Sequence, residues 1–266
     1  MRRIGINLNA KKGLQTADYI KVAHDVGFGA MFTEVPDERE LFVIANALAA
    51  NGMTYDMIHA PFDGINAVWL AGEEGEHMLS RLLCAVDRCH MAGIPIAVVH
   101  LSSGKTPPAV SDMGRVRFER LVEHAAQKNV KIAFENQRQL ENITWAFRHF
   151  ASAENVGFCF DCGHEGCFTP GLSFLPIFGK KLLCTHLHDN SCLPDQDLHQ
   201  IPFDGRLNFG SVTKGIRDSG YRGTLMLECF AENSDAYRLM SCENYLAKAA
   251  LAAKRLRRMT DGFEFE

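Results

Sequence analysis

Long apolar runs are missing from this sequence: nothing in its 266 residues approaches the roughly 20 consecutive apolar residues that a membrane-spanning helix needs. The N-terminal stretch MRRIGINLNAKKG begins basic, but its apolar segment is too short and too interrupted for a signal peptide, so a cytoplasmic protein is expected. Charge of one sign is scarce as well. The 28 Lys and Arg against 32 Asp and Glu leave a net charge of −4. The one dense basic run, Lys254, Arg255, Arg257 and Arg258, reads as the solvated face of a terminal helix, so extended nucleic-acid binding is disfavoured. Linkers, low-complexity tracts and close internal repeats are also absent, and a single domain over residues 1–266 is expected.

Cysteine is plentiful but not patterned. Nine cysteines, an odd number scattered along a long chain, do not resemble a secreted disulfide framework and are expected to be reduced thiols. Three of them fall in FCFDCGHEGC, residues 158–167, where Cys159 and Cys162 have the spacing of a zinc or redox pair. In a strand those two residues start from opposite faces, so the spacing is expected to be accidental. Asp161 and His164 are then the informative members of the stretch.

The sequence does contain an alternation. Short β-rich runs at 3–9, 30–35, 54–61, 96–102, 131–136, 156–161, 182–189 and 224–229 are separated by helical spacing at 16–27, 38–52, 76–93, 115–129 and 140–151. A short helical stretch follows the sixth run, and one long helix is expected over 235–259. Eight strands alternating with helices predict an α/β fold of the parallel (β/α)8, or TIM, barrel type. The alternative is an open doubly wound sheet, but no Gly-x-Gly-x-x-Gly turn follows the first strand.

In such a barrel, catalytic groups stand at the C-terminal ends of the strands. Those ends carry His59, His100, Glu135, Asp161, His188 and Glu228 on strands three to eight, with His164, Asp197 and His199 just beyond. Carboxylates converging on one mouth repel each other unless a cation neutralises them, and mixed imidazole and carboxylate ligands suit a transition metal better than calcium. A divalent ion is therefore expected. Trp69, in the loop after strand three, is a candidate pocket wall, and Phe62 in HAPFD is another.

The segments FEN, DCGH, HLHDN, DLHQIPFDGRLNF and LEC, preceded by IGINLN, IHAPF and VVHLSSG, resemble in order the xylose-isomerase-like barrel superfamily. That superfamily includes sugar isomerases and epimerases, inosose-processing enzymes and the endonuclease IV type of DNA repair enzyme. The resemblance implies that Glu135, Asp161, His188 and Glu228 hold one divalent ion (Mn, Zn, Co or Mg). Glu135 and Glu228 would move a proton through a metal-stabilised enediolate. His164, with His59, His100, Trp69 and His199, would contact a small sugar or polyol. His186 shares the parity of His188; His188 is taken as the ligand because it is nearer the strand end, with His186 a layer deeper, and the choice between them stays open.

One departure bears on substrate. Ketose 3-epimerase relatives follow the metal-binding histidine with Gly-Glu and Asn-Arg, whereas DNSCLPD follows His188 here. The rival reading is an endonuclease IV-like phosphodiesterase acting on abasic DNA, with two or three zinc ions on His59, His100, Glu135, Asp161, His164, His188, Asp197, His199 and Glu228. A homo-oligomer assembled through the long last helix is also expected.

Overall fold

The structure, a computed structural model, describes residues 1–262. In chain order the first half comprises β1 (Ile4–Asn7), α1 (Thr16–Val26), β2 (Ala30–Glu34), α2 (Glu38–Ala50), β3 (Thr54–His59), α3 (Glu73–Met91), β4 (Ile96–Val99) and α4 (Asp112–Gln127). Next come β5 (Lys131–Glu135), α5 (Leu140–His149), β6 (Val156–Asp161), α6 (Cys162–Phe168), α7 (Leu175–Phe178) and β7 (Leu182–His186). The chain closes with α8 (Phe209–Asp218), β8 (Leu225–Leu227), α9 (Asp235–Arg238) and α10 (Cys242–Asp261). The eight strands form one sheet in the order β7-β6-β5-β4-β3-β2-β1-β8. Leu187, one residue past β7, pairs in parallel with Leu227 of β8, so the two ends of that order meet. This is the expected (β/α)8 barrel. Among the described residues no helix is long and apolar enough to cross a membrane.

The chain divides into two compact units. The first takes residues 1–32, 42–55 and the chain from Phe160 on. In it β1 pairs with β2 and β8, with Ile4 opposite Leu225 and Ile6 opposite Leu227. Gly5 is required there, because a methyl group in its place would meet Met226 Sδ at 2.6 Å and the Ala30 carbonyl at 2.9 Å. Asn7 secures the rim by donating from Nδ2 to the Cys229 carbonyl (3.1 Å) and accepting from the Cys229 amide (3.0 Å). Helix α10 lays Tyr245, Leu246, Ala249 and Ala253 against α1, α8 and β1, and all four are buried. The single helix expected over 235–259 is in fact two. Ser241 adopts an extended conformation and accepts the Asn244 amide on its side chain, which starts α10 afresh.

The second unit takes residues 33–41 and 56–159. Strands β3, β4, β5 and β6 pair in parallel through it, with Val99 opposite Phe134 and Glu135 opposite Cys159. Its interior corrects one expectation. Trp69 ends a 3-10 turn, Ile65–Trp69, and is only 2% exposed, so it is packing rather than a pocket wall. Its Nε1 donates to the Leu101 carbonyl at 2.6 Å, and its ring meets Phe118 at 5.1 Å and Trp145 at 5.2 Å. Gly114 of α4 lies so close that a Cβ there would sit 2.1 Å from the indole. Arg117, also on α4, anchors the same turn by donating to the Val68 and Leu70 carbonyls and pairing with Glu76 at 2.9 Å. A large ring with a single polar atom is stable inside when that atom finds an acceptor, and Trp69 finds one.

Candidate functional site

In the second unit, three consecutive strands deliver ionisable groups at their C-terminal ends: His59 closes β3, His100 follows β4 and Glu135 closes β5. All three are buried. Both histidine Nε2 atoms approach the same Glu135 oxygen, His59 at 3.2 Å and His100 at 3.0 Å. The Nδ1 of His59 lies 2.8 Å from the Ala60 carbonyl, so it carries the ring proton in the neutral form and Nε2 offers a lone pair. A lone pair aimed at a carboxylate calls for a proton or a metal between them, and a backbone carbonyl on the other nitrogen is the usual wiring of a ligating histidine. Phe62, the other wall candidate, is 44% exposed and stacks on the His100 ring at 4.5 Å with its edge toward His59. Gln137, which sequence reasoning passed over, reaches His100 Nε2 at 3.1 Å.

In the first unit the carriers are β6, β7, β8 and the segment after β7. Asp161 ends β6 and caps α6, its Oδ1 accepting the His164 amide at 2.7 Å. The helix therefore starts at once, which places His164 in its first turn, facing the Asp197 carboxylate at 3.2 Å. Strand β7 stops at His186, earlier than the run 182–189 predicts, and this alters the reading of the two histidines. After the Leu187 bridge the backbone turns away, and Asp189 exchanges two 2.8 Å hydrogen bonds with Gln200 in antiparallel fashion. His186, expected a layer deeper, is thus the strand-terminal residue. Its Nδ1 is 3.4 Å from Glu228 Oε2, and its ring stacks on Phe32 at 4.8 Å. His188 sits beyond the strand, with Nε2 3.0 and 3.1 Å from the two oxygens of Asp161 and its ring packed against Gly163.

His199 joins these groups. Its Nδ1 meets the Glu228 carbonyl at 3.0 Å and its Nε2 meets Asp197 Oδ2 at 3.1 Å, repeating the wiring of His59. Its ring stacks on His188 with centroids 4.0 Å apart. Two triads, His164 with Asp197 and His199, and His188 with His199 and Glu228, each offer three ligand atoms within 4.8 Å of one another. Burial opposes charge on His199, but the Asp197 hydrogen bond, and then the charge of Glu228, outweigh it and lift the imidazole to about 9. Burial likewise opposes charge on Asp197, yet hydrogen bonds from His164 and His199 hold its carboxyl well below the usual range.

This donor chemistry fits a divalent cation. Imidazole and carboxylate are the ligands of zinc, manganese, iron and cobalt sites. The buried Nδ1 of His188 and Oδ1 of Asp197 have no hydrogen-bond partner among the described residues, and unpaired buried polar atoms are costly. The cysteines join none of these clusters: Cys159 and Cys162 are buried thiols, and burial, with the Asp161 charge behind it, pushes Cys162 far up.

The profile of the xylose isomerase-like TIM barrel family matches residues 20–259. The chain belongs to that family. This xylose isomerase-like barrel is 36% identical over 148 residues to an uncharacterised protein of Sinorhizobium fredii, a match covering 53% of the chain and 46% of that protein. An uncharacterised protein of Methanocaldococcus jannaschii is 23% identical over 189 residues, 65% of the chain and 63% of that protein. The matches thus span less than two thirds of either relative. Among solved structures, a D-psicose 3-epimerase from Clostridium cellulolyticum H10, described with D-tagatose, aligns with a TM-score of 0.76 at 14% identity over 97% of this chain and 99% of its own. The 3-keto-D-glucoside 4-epimerase of E. coli aligns at 0.74 and 14% identity with the same coverage. At such identities the likeness is one of fold.

Proposed function

We propose that this xylose isomerase-like barrel is a divalent-metal-dependent isomerase or epimerase of a small sugar, polyol or inosose, working in the cytoplasm. The observation that carries the reading is the buried set Asp161, His186 and Glu228, whose ligand atoms lie within 4.8 Å of one another; the resemblance to the family adds Glu135 as the fourth ligand. Support comes from the family and from solved neighbours that bear the names of sugar epimerases. His186 takes the ligand role first given to His188, because it ends β7 beside Glu228. His188 then braces Asp161 and His199. When bound, the ion (Mn, Zn, Co or Mg) supplies Lewis-acid polarisation of a substrate carbonyl.

The protein's own groups do the rest. Glu135 and Glu228 serve as base and acid for the carbon beside that carbonyl, one removing and one returning its proton. His164, His59, His100 and His199 meet substrate oxygens, and the exposed face of Phe62 gives a sugar ring an apolar floor. Trp69 has no part in binding.

A second reading is favoured by one observation, the triad of His164, Asp197 and His199, which is a ligand set in its own right. With two or three zinc ions the site would suit phosphodiester cleavage in abasic DNA. One preparation tests both readings: proton exchange from ketoses or inososes in heavy water, alongside nicking of abasic DNA. Exchange without nicking is expected. Nicking that disappears in His59→Ala or His199→Ala, with no exchange, reverses the ranking.

A further inference from the structure

Asp189 has no assigned role, yet it is fully buried directly after His188. Its carboxylate accepts four backbone amides: Oδ1 from Asn190 (2.9 Å) and Leu207 (3.0 Å), and Oδ2 from Phe203 and Gly205 (both 2.9 Å). Its own backbone is bonded twice to Gln200. One residue therefore holds both ends of the segment 190–207, which carries Asp197 and His199. Asn190, also fully buried, extends the hold: Nδ2 donates to the Gly163 carbonyl at 2.9 Å, beside His164, and Oδ1 accepts the Cys192 amide at 2.8 Å. Gly205 fits only because it lacks a side chain, since a Cβ there would lie 2.4 Å from both the Asn190 carbonyl and Asp189 Oδ1.

The segment needs holding. Cys192, Asp195, His199 and Phe203 all adopt positive φ, between 46° and 77°. Such backbone is unfavourable for residues with a Cβ and persists only where its surroundings over-determine it. Charge-assisted hydrogen bonds from four amides to one carboxylate are a means of doing so.

We propose that Asp189 is a positioning residue, the buried anchor that fixes where Asp197 and His199 stand, with Asn190 linking that placement to the turn of Asp161 and His164. The inference rests on the second reading of the site, in which His164, Asp197 and His199 hold a divalent ion.

Hydrogen exchange on the full chain, with no ligand present, tests the anchor. In the wild-type protein the amides of Phe203, Gly205 and Leu207 should be protected about 100-fold or more, at the level of neighbouring strand amides. Exchange near the free-peptide rate overturns the proposal. Asp189→Asn keeps the shape and removes the charge, while Gly205→Ala forces the anchor from the other side. Either should speed exchange of these amides about 10-fold or more while β4 and β5 keep their rates. No change in either variant overturns it; if both variants unfold, the wild-type amides decide.

A Co2+ titration followed by its visible spectrum supplies the second arm. Asp189→Asn should weaken Co2+ binding by about 10-fold in the wild-type background and add nothing in a chain already carrying His199→Ala. Equal weakening in both backgrounds overturns the positioning role. A wild-type chain that binds no Co2+ removes the metal reading, and the exchange arm then decides on Asp189 alone.

Discussion

Trp69 and His199 are both rings in segments that follow barrel strands, and the protein treats them oppositely. Around Trp69 every demand is met: its one polar atom is bonded, Gly114 makes room for the indole, and Arg117 ties the turn down. Around His199, His164, His188, Asp197 and Glu228 confront one another, and the backbone takes positive φ to bring them there. The first region specifies a fold. The second concentrates charge and backbone strain that stability alone does not require, which is what a ligand site looks like before its ligand is counted.

The largest effect is expected on the packed side. Trp69→Ala should lower unfolding free energy by about 3–5 kcal/mol in a denaturant titration. A loss near 1 kcal/mol would make Trp69 a surface ring and dissolve the contrast. On the charged side, His186→Ala should weaken Mn2+ binding by about 100-fold and His188→Ala by about 10-fold, both measured by calorimetry. The reverse order would return the ligand role to His188.

That pair marks how far the sequence was legible. The eight strands and five of the helices stood out because β-rich and helix-spaced runs alternate, and the strand-end acids Glu135, Asp161 and Glu228 followed from the end rule of the barrel. His186 and His188 share a face, so a period of two could not separate them. What separates them is where β7 stops, and that depends on Leu187 pairing with Leu227 and on Asp189 bonding to Gln200. Trp69 was misread for a related reason, since its environment is built by Gly114, Phe118 and Trp145, each distant in sequence. The anchor role of Asp189 left only a faint signal, an Asp-Asn pair just past a strand, of the kind that favours turns.

pH sharpens the contrast on a smaller scale. The imidazole of His199 is raised from 6.5 to about 9 in the fold. The stability it gives the metal-free protein is therefore complete below about pH 6.5 and lost as pH rises through about 9. Asp197 is shifted the other way, so its contribution is present above about pH 4 and is lost in stronger acid. Melting temperatures of chelator-treated protein should fall between pH 7 and 9, and His199→Gln should flatten that fall. An equal fall in the variant would place its cause elsewhere. The smallest effect belongs to the cysteine spacing: Cys159→Ala should leave metal content unchanged and cost about 1 kcal/mol. A loss of metal would make the cysteine pair a ligand after all.

The central claim is that the buried acids and imidazoles exist to hold an ion, and elemental analysis of protein purified without chelator tests it most directly. About one divalent transition ion or magnesium per chain is predicted, falling to a small fraction in His186→Ala. Wild-type protein that holds no metal as purified, and takes up none when manganese, zinc, cobalt or magnesium is supplied, would contradict it.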